Sequence, residues 1–261
     1  MCCESDTLMR GYQVKNLINM ISFEFRKTAP FVYAICGGMT VVQIISFLFT
    51  RTKIEFYYCY FEKLLELSGY PFVFFVAFFA VLILNGFSFY QNFIGSKSIY
   101  TLMSLPSNRN NIYISKVVSG LVAVLFLMVV QIASVFLTYR IYLVGQSHLP
   151  ISNGLFMAFI RTKFLRAIMP FDFISFLLMF ICVASFVVAI LYVFVCIKSS
   201  KYINMTVGLM IVFWSTQSLY NNHMELFDNL FYLIVILGLL LLTLTHMIFY
   251  SLEAVKKARI L

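Results

Sequence analysis

Long apolar stretches without a single charge alternate along this chain with short polar connections. Seven stretches of at least 20 residues contain no Asp, Glu, Lys or Arg. A membrane-spanning helix needs roughly 20 mostly apolar residues, because the hydrocarbon core is about 30 Å thick and a helix rises about 1.5 Å per residue. Six stretches meet this requirement, whereas the seventh, 141–160, contains Gly, Pro and polar residues that indicate a span end and a loop. The predicted spans are 30–49, 70–90, 114–142, 171–196, 203–221 and 229–251.

Two further segments have the pattern of helices at a membrane surface. In residues 12–27, apolar side chains recur on one helical face and basic or polar side chains on the adjacent face, which is typical of an interfacial helix. Pro30 is predicted to separate this helix from the first span. Residues 155–169 are predicted to form another interfacial helix. The apolar face of 12–27 comprises Val14, Leu17, Ile18, Ile21 and Phe25, and the adjacent face Lys15, Asn19, Ser22 and Arg26.

The connection between spans two and three, 93–112, is predicted to contain a short amphipathic helix. Ile99, Leu102 and Met103 fall on one face of it. Pro106 ends the helix, because a proline disfavours helical backbone at the residue before it. Ser107 or Asn108 can then cap the next helix.

The composition supports a membrane protein and excludes a soluble or disordered one. Hydrophobic residues make up 62% of the 261 positions and charged residues 11%, against about 25% charged in a typical soluble protein. The predicted fold class is an all-α integral membrane protein. It consists of a single domain, 1–261, with six transmembrane helices, an N-terminal amphipathic interfacial helix and a short cytoplasmic helix between spans two and three.

The distribution of basic residues predicts the orientation. With six spans, 12 of the 19 Lys and Arg residues fall on the side of the two termini and 7 on the other side. We therefore expect a multi-pass protein of the cell membrane with both termini in the cytoplasm. The four basic residues of the third connection oppose this trend. The net charge of +9 is explained by contacts with anionic lipid headgroups, and no nucleic acid partner is expected.

The sequence has no recognised catalytic, nucleotide or metal motif. No phosphate-binding Gly-x-x-x-x-Gly-Lys-[Ser/Thr] is present. His148, His223 and His246 have no His or Glu at the spacing of helical metal ligands. The centres of the spans contain no Asp, Glu, Lys or Arg, which argues against ion-coupled transport and an intramembrane enzyme. We expect no catalytic residue, metal or cofactor in this chain.

Neutral amides are the polar feature of the predicted spans. A buried amide in lipid needs a hydrogen-bond partner. These amides therefore either bond to a neighbouring helix or line a passage, and the sequence leaves both interpretations open. The amides are Gln43, Asn85, Gln131, Asn204 and Gln217.

The stretch Leu102-Met103-Ser104-Leu105-Pro106-Ser107-Asn108-Arg109, followed by Ser115-Lys116, resembles the permease subunits of type-2 ABC exporters. In that family a Leu-x-Ser-Leu-Pro-x-x-Arg stretch follows the second span, and Ser/Gly-Lys opens the third. The surface helix, six spans and cytoplasmic termini also match the family plan. The family often has a Glu near the start of this connection, where Gln91 and Asn92 stand here.

The resemblance implies that two such permeases, identical or related, form a conduit driven by two separate ATPase subunits. The ATPases, not this chain, would bind ATP and Mg. The 96–105 segment would be a coupling helix in a groove of the ATPase, and the 12–27 segment a connecting helix near it. The implied coupling residues are Ile99, Leu102, Met103, Leu105, Pro106 and Arg109, and those of the connecting helix are Lys15, Leu17, Ile18, Ile21, Phe25 and Arg26.

The sequence predicts the architecture more closely than the transported molecule. A passage without fixed charge and rich in Phe and Tyr suits an amphipathic or apolar molecule, and we expect a hydrophobic or amphipathic peptide. The alternatives are an exporter of drugs or lipids and a membrane assembly or sensor subunit that transports nothing.

Overall fold

The computed structural model describes residues 2–53, 60–94, 109–144, 154–198, 202–222 and 230–257. Within these ranges the chain is almost entirely α-helical and contains no strand, which confirms the predicted all-α class. The described helices are α1 (Cys2–Lys53), α2 (Phe61–Leu67), α3 (Tyr70–Ile94), α4 (Arg109–Val144), α5 (Gly154–Arg161), α6 (Lys163–Ile168), α7 (Phe173–Lys198), α8 (Tyr202–Asn222) and α9 (Leu230–Lys257).

Five of these helices are long and apolar enough to cross a membrane, which indicates a multi-pass membrane protein. The first, second, third, fourth and sixth predicted spans each overlap one of the five candidates. The candidate spans are Leu17–Thr52, Tyr70–Gln91, Asn111–Val144, Phe173–Ile197 and Ile236–Glu253. The predicted span 203–221 coincides with α8 but is not among the five, so the sixth span stays a prediction. Ser215, Thr216, Gln217 and Ser218 make the second half of α8 more polar than the other spans.

The break predicted at Pro30 is wrong, because α1 continues through this residue. A proline inside a helix removes one backbone donor and usually kinks or ends the helix. Here side chains on both sides of Pro30 are buried, namely Thr28 and Ala29 before it and Val32 after it. Packing of this kind supplies most of the stability of a helix in a folded protein. The predicted interfacial helix and the first span are therefore one helix of 52 residues.

The chain divides into two compact units. The first contains residues Met1–Ala29, Leu82–Val122 and Ile181–Leu261, and the second contains Pro30–Val81 and Ala123–Phe180. Several long helices thus contribute one part to each unit. Every contact described below lies within a single unit.

In the first unit, α7 packs against the end of α3 and the beginning of α4. Phe89 of α3, Tyr113 of α4, and Leu191 and Val195 of α7 form one buried cluster in this unit. Helices α8 and α9 also pack against each other, and the rings of Tyr192 on α7 and Tyr250 on α9 lie 5.6 Å apart.

In the second unit, an aromatic cluster joins α2 to the end of α4. The ring of Phe61 lies 5.2 Å from that of Tyr139 and 5.4 Å from that of Tyr142. A tight turn at Gly69 (φ 71°) connects α2 to α3, and only glycine adopts this φ without strain. The predicted interfacial helix 155–169 corresponds to two short helices, α5 and α6, with Thr162 between them.

Candidate functional site

A buried ion pair connects three helices of the first unit. The Nζ of Lys116 on α4 donates to the carboxylate of Glu24 on α1. The same ammonium donates to the Oγ of Ser88 on α3 at 3.0 Å. Glu24 is 5% exposed and Lys116 1% exposed. Charged side chains in membrane proteins are costly to bury and usually mark functional positions, so this ion-pair cluster (Glu24, Ser88, Lys116) is the first candidate site.

Neighbouring hydroxyl groups bond to their own helices rather than to the ion pair. The Oγ1 of Thr28 donates to the carbonyl oxygens of Glu24 and Phe25, both at 3.2 Å. The Oγ of Ser119 donates to the carbonyl of Lys116 at 3.0 Å. Because these hydroxyls are satisfied locally, Ser88 is the hydroxyl that contributes to the cluster.

The cluster lies beside the undescribed segment 95–108. Ser88 is six residues before the end of α3 at Ile94, and Lys116 is seven residues after the start of α4 at Arg109. At about 1.5 Å per residue, each helix continues for roughly 9–11 Å between the cluster and that segment. The cluster therefore holds together the helices on both sides of 95–108 and attaches them to α1.

One helical turn from the cluster, Asn85 packs against Gly120. A Cβ added at Gly120 would overlap the amide of Asn85 and would approach Cγ1 of Val187 to 2.9 Å. Asn85 is buried, and its Nδ2 has no hydrogen-bond partner among the described residues. Glycine at position 120 is thus required for the close approach of α3, α4 and α7.

Gly120→Ala is expected to destabilise the protein by about 1–3 kcal/mol, because overpacking a filled interior displaces neighbouring atoms. The measurement is the apparent melting temperature of the detergent-solubilised protein. Gly38→Ala is the matched control, since no atom lies within 4 Å of a Cβ at that exposed helical position. An equal melting temperature for both variants would contradict the close packing at Gly120.

A second polar cluster, the amide–hydroxyl network, lies in the second unit. The Nε2 of Gln43 on α1 donates to the Oε1 of Gln131 on α4 at 2.8 Å. The Oγ of Ser134 donates to the Oε1 of Gln43, also at 2.8 Å. The Oη of Tyr70 on α3 lies 2.5 Å from the Oγ of Ser134 and 2.8 Å from the Oγ1 of Thr138. All five side chains are buried.

Most hydrogen bonds of this network have a defined direction. The single hydroxyl proton of Ser134 is donated to Gln43, and that of Thr138 to the carbonyl oxygen of Ser134, so the one proton of the Tyr70 hydroxyl is shared between these two hydroxyl oxygens. The network thus bonds three candidate membrane-spanning helices to one another. Each polar group exchanges a partner in water for a partner in the protein, except the Nε2 of Gln131, which has no partner among the described residues.

We expect Gln43→Leu to destabilise the protein because it removes the acceptor of the Ser134 hydroxyl and the donor to the Oε1 of Gln131. The coupling free energy between positions 43 and 131 should be about 1 kcal/mol, as for other interhelical hydrogen bonds in membranes. The measurement is a double-mutant cycle with Gln131→Leu, in which unfolding is followed by SDS titration in mixed micelles. Strictly additive effects would show that the bond contributes nothing.

The five predicted amides occupy different environments. Gln43 and Gln131 bond to each other, which confirms helix-to-helix bonding for this pair. Asn85 is buried in the first unit, whereas Asn204 and Gln217 of α8 are exposed. The structure brings only Gln43 and Gln131 together among these five, and a passage lined by the set stays a prediction.

The apolar face predicted for 12–27 differs from the buried face of α1. Leu17, Ile21 and Phe25 are partly buried, but Ile18 is 58% exposed. Among the described side chains of 17–27, Glu24 is the buried one, and it pairs with Lys116. Arg26 is exposed, as expected for the basic face. The side chains of Val14 and Lys15 lie outside the described residues.

The predicted coupling residues lie almost entirely outside the described part of the chain. Ile99, Leu102, Met103, Leu105 and Pro106 fall in 95–108, and Arg109 is the first residue of α4, with its side chain outside the described set. Their roles stay predictions. The same applies to His148 and His223, whereas His246 is an exposed residue of α9.

The sequence pattern did not predict Glu24, Ser88 and Tyr70 as members of polar clusters. Glu24 had a recognisable signal, because it is the only acidic residue between Asp6 and Glu55. An isolated carboxylate within a basic segment suggests a specific partner. Ser88 and Tyr70 had no such signal, since serine and tyrosine are common in apolar helices.

Within the described ranges, no group of three or more His, Cys, Asp or Glu side chains is placed to hold a metal ion.

The chain was also compared with protein-family models, curated proteins and solved structures, and none of them matches it.

Proposed function

We propose that the chain is the membrane-spanning subunit of an ATP-driven ABC exporter of the type-2 class, and that it forms half of the conduit. The observation that carries the proposal is the Leu-x-Ser-Leu-Pro-x-x-Arg stretch at 102–109, followed by Ser115-Lys116. It stands between two long apolar helices, since α3 ends at Ile94 and α4 begins at Arg109. The resemblance calls for this arrangement of span, motif and span.

The ion-pair cluster supports a mechanical role for this region. The resemblance assigns ATPase contacts to the segment between spans two and three and to the N-terminal helix. Lys116, which ends the motif and lies on α4, donates to Ser88 on α3 and to Glu24 on α1, so the two helices that flank this segment are bonded to each other and to the N-terminal helix. A force applied to 95–108 would therefore reach α1, α3 and α4 together.

The orientation follows from the basic residues. We propose a cell-membrane protein with six spans and cytoplasmic termini, so that 95–108 and the N-terminal helix face the same cytoplasmic ATPase. The partners are two ATPase subunits, which bind ATP and Mg, a second permease, and membrane lipids.

The proposed cargo is a hydrophobic or amphipathic peptide. The chain contains 30 Phe and 16 Tyr residues, and the ion-pair cluster neutralises the charges that it buries. Such helices offer aromatic and apolar contacts to a cargo rather than a fixed countercharge. Drugs and lipids have related chemistry and serve as competitors in the test.

The test has two steps. A Walker-type ATPase encoded in a neighbouring reading frame is expected to co-purify with this chain. Proteoliposomes containing both subunits are then expected to transport a fluorescent amphipathic peptide only when ATP is present. A stable complex with no ATP-dependent transport of peptide, drug or lipid would replace the proposal with a non-transporting assembly or sensor subunit.

A further inference from the structure

The ion-pair cluster is deeply buried, although apolar side chains packed at the same place would be sufficient for stability. Glu24, Ser88 and Lys116 come from three helices and are each at least nine-tenths buried. A well-packed apolar pair of the same size is often as stable as a buried ion pair, or more stable. Stability alone therefore gives no reason for charges at these two positions.

An ion pair differs from an apolar contact in how it responds to displacement. Packed apolar helices can slide by small shear movements because their contacts are exchanged at little cost. A buried ammonium that leaves its carboxylate has no water to replace the lost partner, so separation is strongly unfavourable. Lys116 also donates to a second helix, because its partners are the carboxylate of Glu24 on α1 and the hydroxyl of Ser88 on α3. The cluster therefore resists sliding of α1, α3 and α4 against one another.

The location of the cluster determines which parts are locked together. Its contacts all lie in the first unit, which contains α1 up to Ala29 and residues 82–122 of α3, the undescribed connection and α4. Ser88 and Lys116 stand on the two sides of 95–108, and Glu24 belongs to the N-terminal helix. These are the elements that an ATPase would contact under the proposed function.

We propose that the ion-pair cluster is a lock that makes the N-terminal part of α1, the end of α3 and the start of α4 move as one rigid body. This inference rests on the proposed function for its role in transport. Glu24, Ser88 and Lys116 are positioning residues that touch neither cargo nor ATP. Because of the lock, a displacement of 95–108 moves the membrane-spanning helices together. Without the lock, these helices would slide past one another and part of the displacement would be lost.

The first experiment tests the lock without any ATPase. Glu24→Leu combined with Lys116→Met replaces the charges by side chains of similar size. Spin labels are carried by keto-bearing amino acids at the exposed positions Ile18 of α1 and Phe87 of α3, which leaves the native cysteines unchanged. The distance distribution between the labels is expected to be narrow in the otherwise unaltered protein and broader in the double variant. An equally narrow distribution in the double variant would overturn the lock.

The second experiment tests the role in transport. The complex with the co-purified ATPase is reconstituted, and the amount of fluorescent amphipathic peptide transported per ATP hydrolysed is measured. We expect this ratio to fall at least about fivefold in the double variant, the lower end of typical coupling between sites. The exchanged pair, Glu24→Lys with Lys116→Glu, is expected to recover part of it. A broadened distribution with an unchanged ratio would refute the transport role.

These experiments separate the inference from the proposed function. If the unaltered complex shows no ATP-dependent transport, the proposed function fails, and the spin-label distances alone then support or overturn the lock. Melting temperatures of both double variants accompany the measurements. The lock is supported only when the distribution broadens in a variant that melts close to the unaltered protein.

Discussion

Lys116→Met is expected to lower the apparent melting temperature of the purified, detergent-solubilised protein by on the order of 10 °C. The substitution removes the ammonium and leaves the Glu24 carboxylate buried without its countercharge. Breaking a buried ion pair in this way costs about 3–5 kcal/mol, and 1 kcal/mol corresponds to about 2–4 °C in a protein of this size. The effect should exceed that of any other single substitution proposed for the described helices.

Two variants define the origin of this effect. Adding Glu24→Leu to Lys116→Met removes the buried carboxylate that has lost its countercharge, and it should recover most of the lost stability. Lys63→Met is the control for loss of a lysine, because Lys63 is exposed on α2, and it should melt within about 1–2 °C of the unaltered protein, as for surface substitutions in general. A Lys116→Met protein that melts like the Lys63→Met protein would show that the ion pair is not buried as described.

Leu102→Asp is expected to abolish stimulation of ATP hydrolysis by cargo in the complete transporter. Leu102 lies on the apolar face predicted for 96–105, and the resemblance places that face in a groove of the ATPase. A carboxylate there would have to be buried without a partner, which is strongly unfavourable. The measurement is the ATPase rate of the reconstituted complex with and without the fluorescent amphipathic peptide.

Ser104→Asp is the matched control for the coupling prediction. At about 100° per residue, Ser104 lies about 160° around the predicted helix from Leu102 and at least about 100° from Ile99, Met103 and Leu105, so the new charge should remain in water. The control should keep both the complex and its stimulation by cargo. Normal complex formation and normal stimulation in the Leu102→Asp protein would show that this face does not dock on the ATPase.

The two polar clusters differ in what they contribute. The amide–hydroxyl network uses neutral groups that each satisfy a neighbour, and it bonds α1, α3 and α4 within the second unit. The ion-pair cluster uses full charges, and it lies next to the segment that the proposed function places against an ATPase. Neutral bonds stabilise helix contacts at a modest cost of desolvation, whereas paired charges also fix the register of the helices.

The continuity of α1 changes the interpretation of the N-terminal helix. A separate interfacial helix would be connected to the first span by a flexible joint at Pro30. Instead, Glu24 and Gln43 belong to one continuous helix, Cys2–Lys53, with Glu24 in the first unit and Gln43 in the second.

The class of the protein and the positions of most spans could be predicted from the sequence alone. Hydropathy is a local property, and a run long enough to match the bilayer is visible without knowledge of its neighbours. For this reason the predicted spans 70–90, 114–142 and 171–196 agree closely with Tyr70–Gln91, Asn111–Val144 and Phe173–Ile197. The need of Gln43 and Gln131 for a partner also followed from their chemistry.

Only the tertiary structure decided which polar groups meet. Glu24 and Lys116 are separated by 92 positions, and no periodicity of either segment indicates that their helix faces come together. The apolar pattern of 12–27 indicates a membrane-facing side that includes Ile18, but it gives no sign that Glu24 is buried inside the protein, where it pairs with Lys116. Helix packing likewise overruled the local tendency of Pro30 to end a helix. Which side chains pair, and in which register the helices pack, depends on contacts between helices that are far apart in the sequence. A local sequence pattern does not contain this information.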